Sequence, residues 1–455
     1  MALGRRKPPQ QPLWVANGEL PRSPGHPFYA ALNRLLAEAD FDRFVEQLCA
    51  PYYADNVGRP GIAPGVYFRM LLVGYFEGLG SQRGIAWRCS DSLSLREFLG
   101  LAPSQPSPDH SSLTVIRQRL PLEVHEQVFV AVLAIARQKK LLKGKTVAVD
   151  STTLEANAAM KGIVHKHSGE DWKKYLKRLA EEAGVVNPTQ ADLHRFDRGR
   201  RHKRVSNQEW RSPTDPDSRI ARMKDGRTRL AYKAEHVVDL ESDLILAATV
   251  LTATRSDAET LPESLLTAQA SLVMSGSETA ITEIVADKGY HKAETLAECE
   301  AWDVRTYIPS RREPHHRRWT DKPPAWQAAY RANARRVQGP HGKRLSRLRS
   351  ELPERSFAHV CETGGARRTW IRGLTEVGKR HVIAATARNL SVIMRALYGI
   401  GTARSLQGAA GALHRPQTAL VRAAHRVLVL VSVVITSLVY HPKIKRSWLP
   451  APLAA

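Results

Sequence analysis

Cysteine is scarce in this 455-residue chain: Cys49, Cys89, Cys299 and Cys361 are far apart, and no two form a CxxC pair. That spacing excludes a disulfide scaffold and a cysteine-built zinc cage, and it suits a reducing compartment. Long hydrophobic runs are missing too. The apolar stretch Val427 to Tyr440 has 14 residues between Arg426 and His441, fewer than the roughly 20 that span a bilayer, so it reads as a buried element and no membrane role is expected. The opening MALGRRKPPQQPLW is basic but has no apolar segment behind it, which argues against a secretory signal and for a cytoplasmic protein. Acidic residues are outnumbered 44 to 68 by Lys and Arg, a formal charge of +24. Such an excess repels itself unless a polyanion is the usual partner, and nucleic acid is the leading candidate. Hydrophobic residues make up 43%, so the chain is not disordered and can bury more than one core.

From about Pro27 to Leu142, apolar residues recur at intervals of three and four between Gly and Pro breaks, as in FYAALNRLLAEADFDRFVEQL and PGVYFRMLLVGYFEGL. This predicts an all-helical domain over residues 1–143. Within it, SPDHSSLTVIRQRL offers Asp109 and Ser111 as helix-start residues, ahead of a helix whose Arg117 and Arg119 are candidates to enter a DNA groove. At Lys145 the period changes to the alternation of a strand, KTVAVDSTTL, and Asp150 lies inside it. A charge there is expensive without a use.

Residues from about 155 to 228 are polar and basic, with few large apolar side chains, and read as an insertion or basic arm. Strand signals return in LAYKAEHVVDL and LILAATVLTAT, a hairpin joined through ESD. A capping-box pattern from Ser256 to Glu259 starts a helix, ITEIVAD is a strand ending at Asp287, KAETLAECEAW a helix, and VRTYIP a short strand. Pro309 to Ser350 holds twelve Lys or Arg against two acidic residues and reads as a second basic insertion. The order is strand with Asp150, hairpin, helix, strand with Asp287, helix, strand, then helix with a glutamate. This is the order of an α/β fold of the ribonuclease-H-like kind, a mixed sheet flanked by helices, over residues 144–360, with a helical C-terminal region over 361–455. In such a core Asp150 and Asp287 sit on neighbouring strands.

Two adjacent carboxylates ionise together cheaply only beside a cation. Oxygen ligands select Mg2+ or Mn2+, and a third carboxylate on the last helix would complete a two-ion site for phosphodiester chemistry. Glu351, Glu354 and Glu376 compete for that place. Pro353 belongs in a helix's first turn, which predicts a helix starting near Leu352, with Glu351 in the approach loop, Glu354 on the ordered turn, and Glu376 facing solvent or Arg372.

These residues resemble a family, the DDE transposases of bacterial insertion sequences that carry a helical N-terminal domain before an interrupted ribonuclease-H-like core. The resemblance spans nearly the whole chain. It rests on FVEQLCAPYYADNVGRPGIAPGVYFRMLLVGYFEGLGSQRGIAWRCSDSLSLREFLGL and SPDHSS, on VAVDSTTLEANAAMK, DPDSRIARMKDGRTRLAYKAEHVVDLE, VADKGYH and ERSFAH, and on GTARSLQG. It implies catalytic and metal-binding roles for Asp150, Asp287 and Glu354. Pro353 departs from the small apolar residue expected before the glutamate. The Tyr and Lys that some relatives carry around the glutamate find only loose substitutes in Arg347, Arg349, Arg367 and Arg368.

The activity implied is cleavage at the ends of the chain's own element and transfer of the 3′ ends to target DNA. Its partners would be double-stranded DNA, as terminal inverted repeats and target, and further copies of the chain in a homodimer or higher oligomer; its place would be the bacterial nucleoid. Candidate DNA contacts are Arg117, Arg119, Arg200, Arg201, Lys203, Arg204, Arg311, Arg312, Arg317, Arg318, Arg347 and Arg349. Trp319 and Trp326 offer ring faces to an unpaired base or to the core. A non-catalytic DNA-binding relic and a structure-specific nuclease are the competing readings.

Overall fold

The computed structural model describes residues 25–54, 61–102, 104–200, 206–223, 225–310 and 318–406. The chain divides into two compact units, Met1–Gly401 and Thr402–Ala455; of the second, only a short 3-10 turn at Ala403–Leu406 is described. The apolar run 427–440 lies outside the described residues.

Among the described residues, the first unit opens with seven α-helices: α1 (Pro27–Glu38), α2 (Phe41–Cys49), α3 (Pro64–Glu77), α4 (Gln82–Asp91), α5 (Leu93–Phe98), α6 (His110–Arg119) and α7 (Leu122–Gln138). Their starts follow local chemistry: Ser81, Ser92 and Asp109 each accept a backbone N–H of the first turn, which satisfies donors the helix itself cannot. Arg69 of α3 is 6% exposed. It donates to both carboxylate oxygens of Asp42 at 2.9 and 2.8 Å and to the Phe98 carbonyl at 3.0 Å, tying three helices together. The four cysteines are buried and form no disulfide among the described residues.

The sheet begins with β1 (Thr146–Glu155). The stretch after it is not a bare arm. It forms β2 (Val164–His165), α8 (Trp172–Glu182), α9 (Gln190–Gly199) and β3 (Trp210–Arg211), with β2 and β3 paired. His165 stacks on Tyr175, and Trp210 meets His165 and Tyr175 edge-on and Trp172 at a tilt; Trp210 and Ile163 join the core around Leu154 and Tyr232. A few aromatics suffice for this small insertion because the sheet supplies the rest of its core.

The remaining strands are β4 (Arg219–Arg222), β5 (Thr228–Asp239), β6 (Ile245–Thr252), β7 (Glu283–Ala286) and β8 (Arg305–Tyr307), separated by α10 (Asp257–Met274) and α11 (Ala293–Ala301). The order is β4-β5-β1-β7-β8, with β6 also on β5. β1 runs antiparallel to β5 and parallel to β7, and the predicted hairpin is β5–β6. The capping box at Ser256 and Glu259 makes both of its bonds.

The chain then forms α12 (Pro324–Gln338), α13 (Pro340–Phe357), a π-helical turn at Ala358–Thr363, and α14 (Leu374–Tyr398). The second basic insertion is therefore largely two helices. Alternation along β5 separates the two faces of the sheet. Lys233 and Glu235 bond Thr260 of α10, whereas His236 bonds Ser356 of α13. Two asparagines close strand ends with paired amide bonds: Asn333 of α12 on Ile308, and Asn389 of α14 on Ile245.

The expected start of the glutamate helix is corrected. α13 begins at Pro340 and carries both Glu351 and Glu354, with Pro353 inside it. An interior proline loses one backbone bond and costs about 3 kcal/mol. Here Leu352, Pro353, Ser356 and Phe357 are all buried against the sheet, and the helix ends within one turn, so packing offsets that loss.

Candidate active site

Asp150 and Asp287 are brought side by side by strand register. Val149 of β1 is paired with Ala286, the last residue of β7, in parallel orientation, so the next residue on each strand is a carboxylate. Adjacent strands lie about 4.8 Å apart. Asp150 accepts the Ser151 N–H at 2.8 Å and Asp287 the Gly289 N–H at 2.6 Å; the opening of the turn Lys288–Tyr290 thus holds Asp287 as its N-cap. Capping this turn engages one oxygen of Asp287 and so does not compete with ligation through the other.

Gly289 has no room for a side chain. A Cβ there would stand 2.6 Å from an Asp257 oxygen and 2.8 Å from an Asp287 oxygen. Asp257, at the first turn of α10, is a carboxylate that sequence reasoning missed.

Among the described residues, no three His, Cys, Asp or Glu side chains form a group that could hold a metal ion. The donor set of Asp150 and Asp287, all oxygen, fits a hard divalent cation, but the third carboxylate does not close on it. Glu354 is exposed. Helical geometry nevertheless gives its direction. The buried face of α13 is lined by Leu345, Leu352, Pro353, Ser356 and Phe357, and Glu354 and Arg355 flank that face on opposite sides, each about 130° away at 3.6 residues per turn. Arg355 reaches Asp243 at 3.5 Å in the β5–β6 turn, and His341, on the same side of the helix, reaches Glu283 at 3.2 Å where β7 begins. Glu354 therefore lies on the other side of the helix from Arg355 and His341, and it is exposed.

Glu351 points away from the sheet and pairs with Arg355 one turn on. Glu376 does not face solvent: it is 23% exposed and takes Arg117 at 2.6 Å together with Lys379. Burial alone would raise the Glu376 carboxyl, but the two cations outweigh it and hold it below its ordinary range.

The basic candidates separate in the same way. Arg117, expected to face DNA, is spent on Glu376. Arg200 pairs with Asp197 at 3.4 Å and lies over the Trp172 ring. Arg119 is exposed with its guanidinium 4.7 Å from the Tyr53 ring centre. Arg318 and Arg347 are exposed, and Arg349 is half-buried. Arg201, Lys203, Arg204, Arg311, Arg312 and Arg317 lie outside the described residues. Trp319 and Trp326 are half-buried, and Trp319 meets the Tyr330 ring edge-on at 5.3 Å.

Arg367 stands closer to the carboxylates than its sequence position suggested. Its loop bonds the end of β1 through Glu155 and places Nη1 3.2 Å from the Thr152 hydroxyl, two residues along the strand from Asp150 and on the same face. Only the tertiary bridge between residues 155 and 368 reveals this.

Two family models match the sequence: a transposase domain (DUF772) over residues 20–119 and a transposase DDE domain over residues 192–390. The second range contains Asp287 and Glu354 and begins after Asp150. No curated protein and no solved structure matches.

Proposed function

This chain belongs to the DDE transposases of insertion sequences, and from that membership we propose that it cuts the phosphodiester bonds at the ends of its own element and joins the freed 3′ ends to target DNA. Transposases of these families act on DNA, and the DDE domain implies a ribonuclease-H-like core and divalent metal chemistry. Asp150, Asp287 and Glu354 would hold magnesium or manganese. What carries the reading is the parallel β1–β7 register, which sets two carboxylates side by side where DNA could approach a strongly basic chain.

Ions bound there would lower the pKa of the attacking hydroxyl and offset charge on the departing oxygen. In the first step water attacks the phosphorus at the element's end, and the departing oxygen takes a proton. In the second, the freed 3′ hydroxyl attacks a phosphorus of the target and displaces a target oxygen. Arg318, Arg347, Arg349 and the stretches 201–204 and 311–317 would grip backbone phosphates, and Arg367 adds a cation beside β1. Arg117 and Arg200, engaged inward, are left out of that role. Residues 1–143 read as the recognition and assembly layer, 144–360 as the catalytic core and 361–455 as a helical support. Copies would assemble on the DNA ends in the bacterial nucleoid. Among the described residues, no helix is long and apolar enough to cross a membrane.

The test is incubation with a labelled terminal inverted repeat, magnesium and a supercoiled plasmid. Cleaved ends joined to plasmid are expected. Binding without cleavage would instead identify a DNA-binding relic, and cleavage without joining a nuclease.

A further inference from the structure

The sheet face away from α13 buries a charged network for which the proposed chemistry has so far given no role. Glu235 of β5 is 1% exposed and Lys233 5%. Lys233 Nζ lies 3.0 Å from Glu235 and 2.8 Å from Asp257. Glu235 also accepts the Tyr290 hydroxyl at 2.9 Å, the Thr260 hydroxyl at 2.8 Å and the Ser264 hydroxyl. Asp257 accepts the Ser151 hydroxyl at 3.0 Å. Burying ions at this density loses solvation that apolar residues of the same volume would not lose, so the network contributes little stability for its size.

Its two ends are specific. One is Ser151, the residue after Asp150. The other is Tyr290, the last residue of the turn whose N-cap is Asp287. Ser151 is also directly opposite Glu235 in the β1–β5 register, as Asp150 is opposite His236. The two backbone segments that carry the carboxylates are thus bonded from beneath to one buried cluster. Its cation, Lys233, lies between two anions and sits 5.8 Å from the Tyr290 ring centre.

We propose that Lys233, Glu235 and Tyr290 are positioning residues that fix the Asp287 turn relative to Asp150, and so set the affinity of the carboxylate pair for a divalent cation. The inference rests on the reading of Asp150 and Asp287 as metal ligands. Groups that orient ligands from behind typically contribute 10- to 100-fold in metal affinity. Tyr290→Phe removes one hydrogen bond and no volume beyond the hydroxyl, whereas Glu235→Gln keeps the shape and removes the charge.

The experiment measures Mn2+ bound to the full-length protein on a terminal-repeat duplex, by loss of the free-ion paramagnetic resonance signal, with duplex alone subtracted. Thermal midpoints are recorded alongside. Tyr290→Phe and Glu235→Gln are expected to weaken Mn2+ binding about tenfold while retaining duplex binding, and Asp287→Asn to abolish it. Loss in Asp287→Asn with wild-type Mn2+ binding in Tyr290→Phe overturns the positioning role and leaves the ligand reading intact. Undiminished Mn2+ binding in Asp287→Asn overturns both. If Glu235→Gln fails to fold, Tyr290→Phe decides alone.

Discussion

His236 and Ser356 are joined by a 2.8 Å hydrogen bond that ties the strand facing Asp150 to the helix carrying Glu354. The other imidazole nitrogen of His236 meets His381 of α14, also at 2.8 Å, and the His236 ring stacks on Phe357. Burial keeps both imidazoles neutral: it pushes His236 well below its ordinary value, helped by His381 and Arg388, and brings His381 down to about 4, helped by Arg380. In the unfolded chain both titrate near 6.5. Because the unfolded state binds protons more readily, stability is fully present above about pH 6.5 and falls as pH drops toward 4. The limiting slope is about 1.4 kcal/mol per pH unit for each histidine. Denaturant unfolding at pH 7, 6 and 5 should show this loss, and a flat profile would exclude the neutral pair.

Asp150→Ala and Asp287→Ala should each lower the rate of terminal cleavage by about a thousandfold or more, the scale lost with a principal electrostatic group. Neither should weaken end binding, which phosphate contacts dominate. Gel-shift and cleavage assays on one duplex check both halves, and magnesium-dependent cleavage by either variant removes that residue from the site.

The three glutamates should divide by their surroundings. Glu354→Gln is expected to lose metal-dependent cleavage with an unchanged unfolding midpoint, since the side chain is exposed. Glu351→Gln should leave activity within about twofold, because a surface pair is worth under about 1 kcal/mol. Glu376→Gln should destabilise by about 1–3 kcal/mol, as Lys379 and Arg117 lose the acceptor they share, while folded protein stays active. A dead but fully stable Glu376→Gln would shift the catalytic assignment to that residue.

Gly289→Ala tests the crowding beside Asp287. Its Cβ would press on two carboxylate oxygens closer than 3.0 Å, so Asp257, Asp287 or the turn carrying Gly289 must shift. A cost of about 1–3 kcal/mol in stability is expected from the overpacking, with cleavage down at least tenfold, the scale lost when a ligand's support is disturbed. Wild-type cleavage would show that the Asp257–Asp287 spacing is not critical.

Arg347→Ala should reduce the salt slope of end binding by about 0.9, as one phosphate contact disappears, without changing which end sequence is preferred. Arg117→Ala should leave the slope alone and lower the unfolding midpoint, because its partner is Glu376. The opposite pattern would exchange their roles.

Local chemistry was enough to reveal much of this protein. The change from helical to alternating periodicity at Lys145, the hairpin around ESD, the capping box at Ser256 and the aspartate closing ITEIVAD are short-range patterns, and each element formed about where its pattern lay. Asp150 and Asp287 stood out because a carboxylate on an apolar strand is costly wherever the strand packs. What needed the tertiary structure was long-range. The period-two register of β1 with β7 sets the two aspartates abreast. Packing of α13 on the sheet overrides the helix-breaking tendency of Pro353, so one unbroken helix carries both Glu351 and Glu354. Arg117 and Glu376, 259 residues apart, form an ion pair that neither neighbourhood announces. The cluster of Ser151, Lys233, Glu235, Asp257 and Tyr290 joins two strands, a helix and a turn. Propensity is decided by each residue and its near neighbours, whereas the partner of a buried charge is decided by whichever distant segment the fold lays over it.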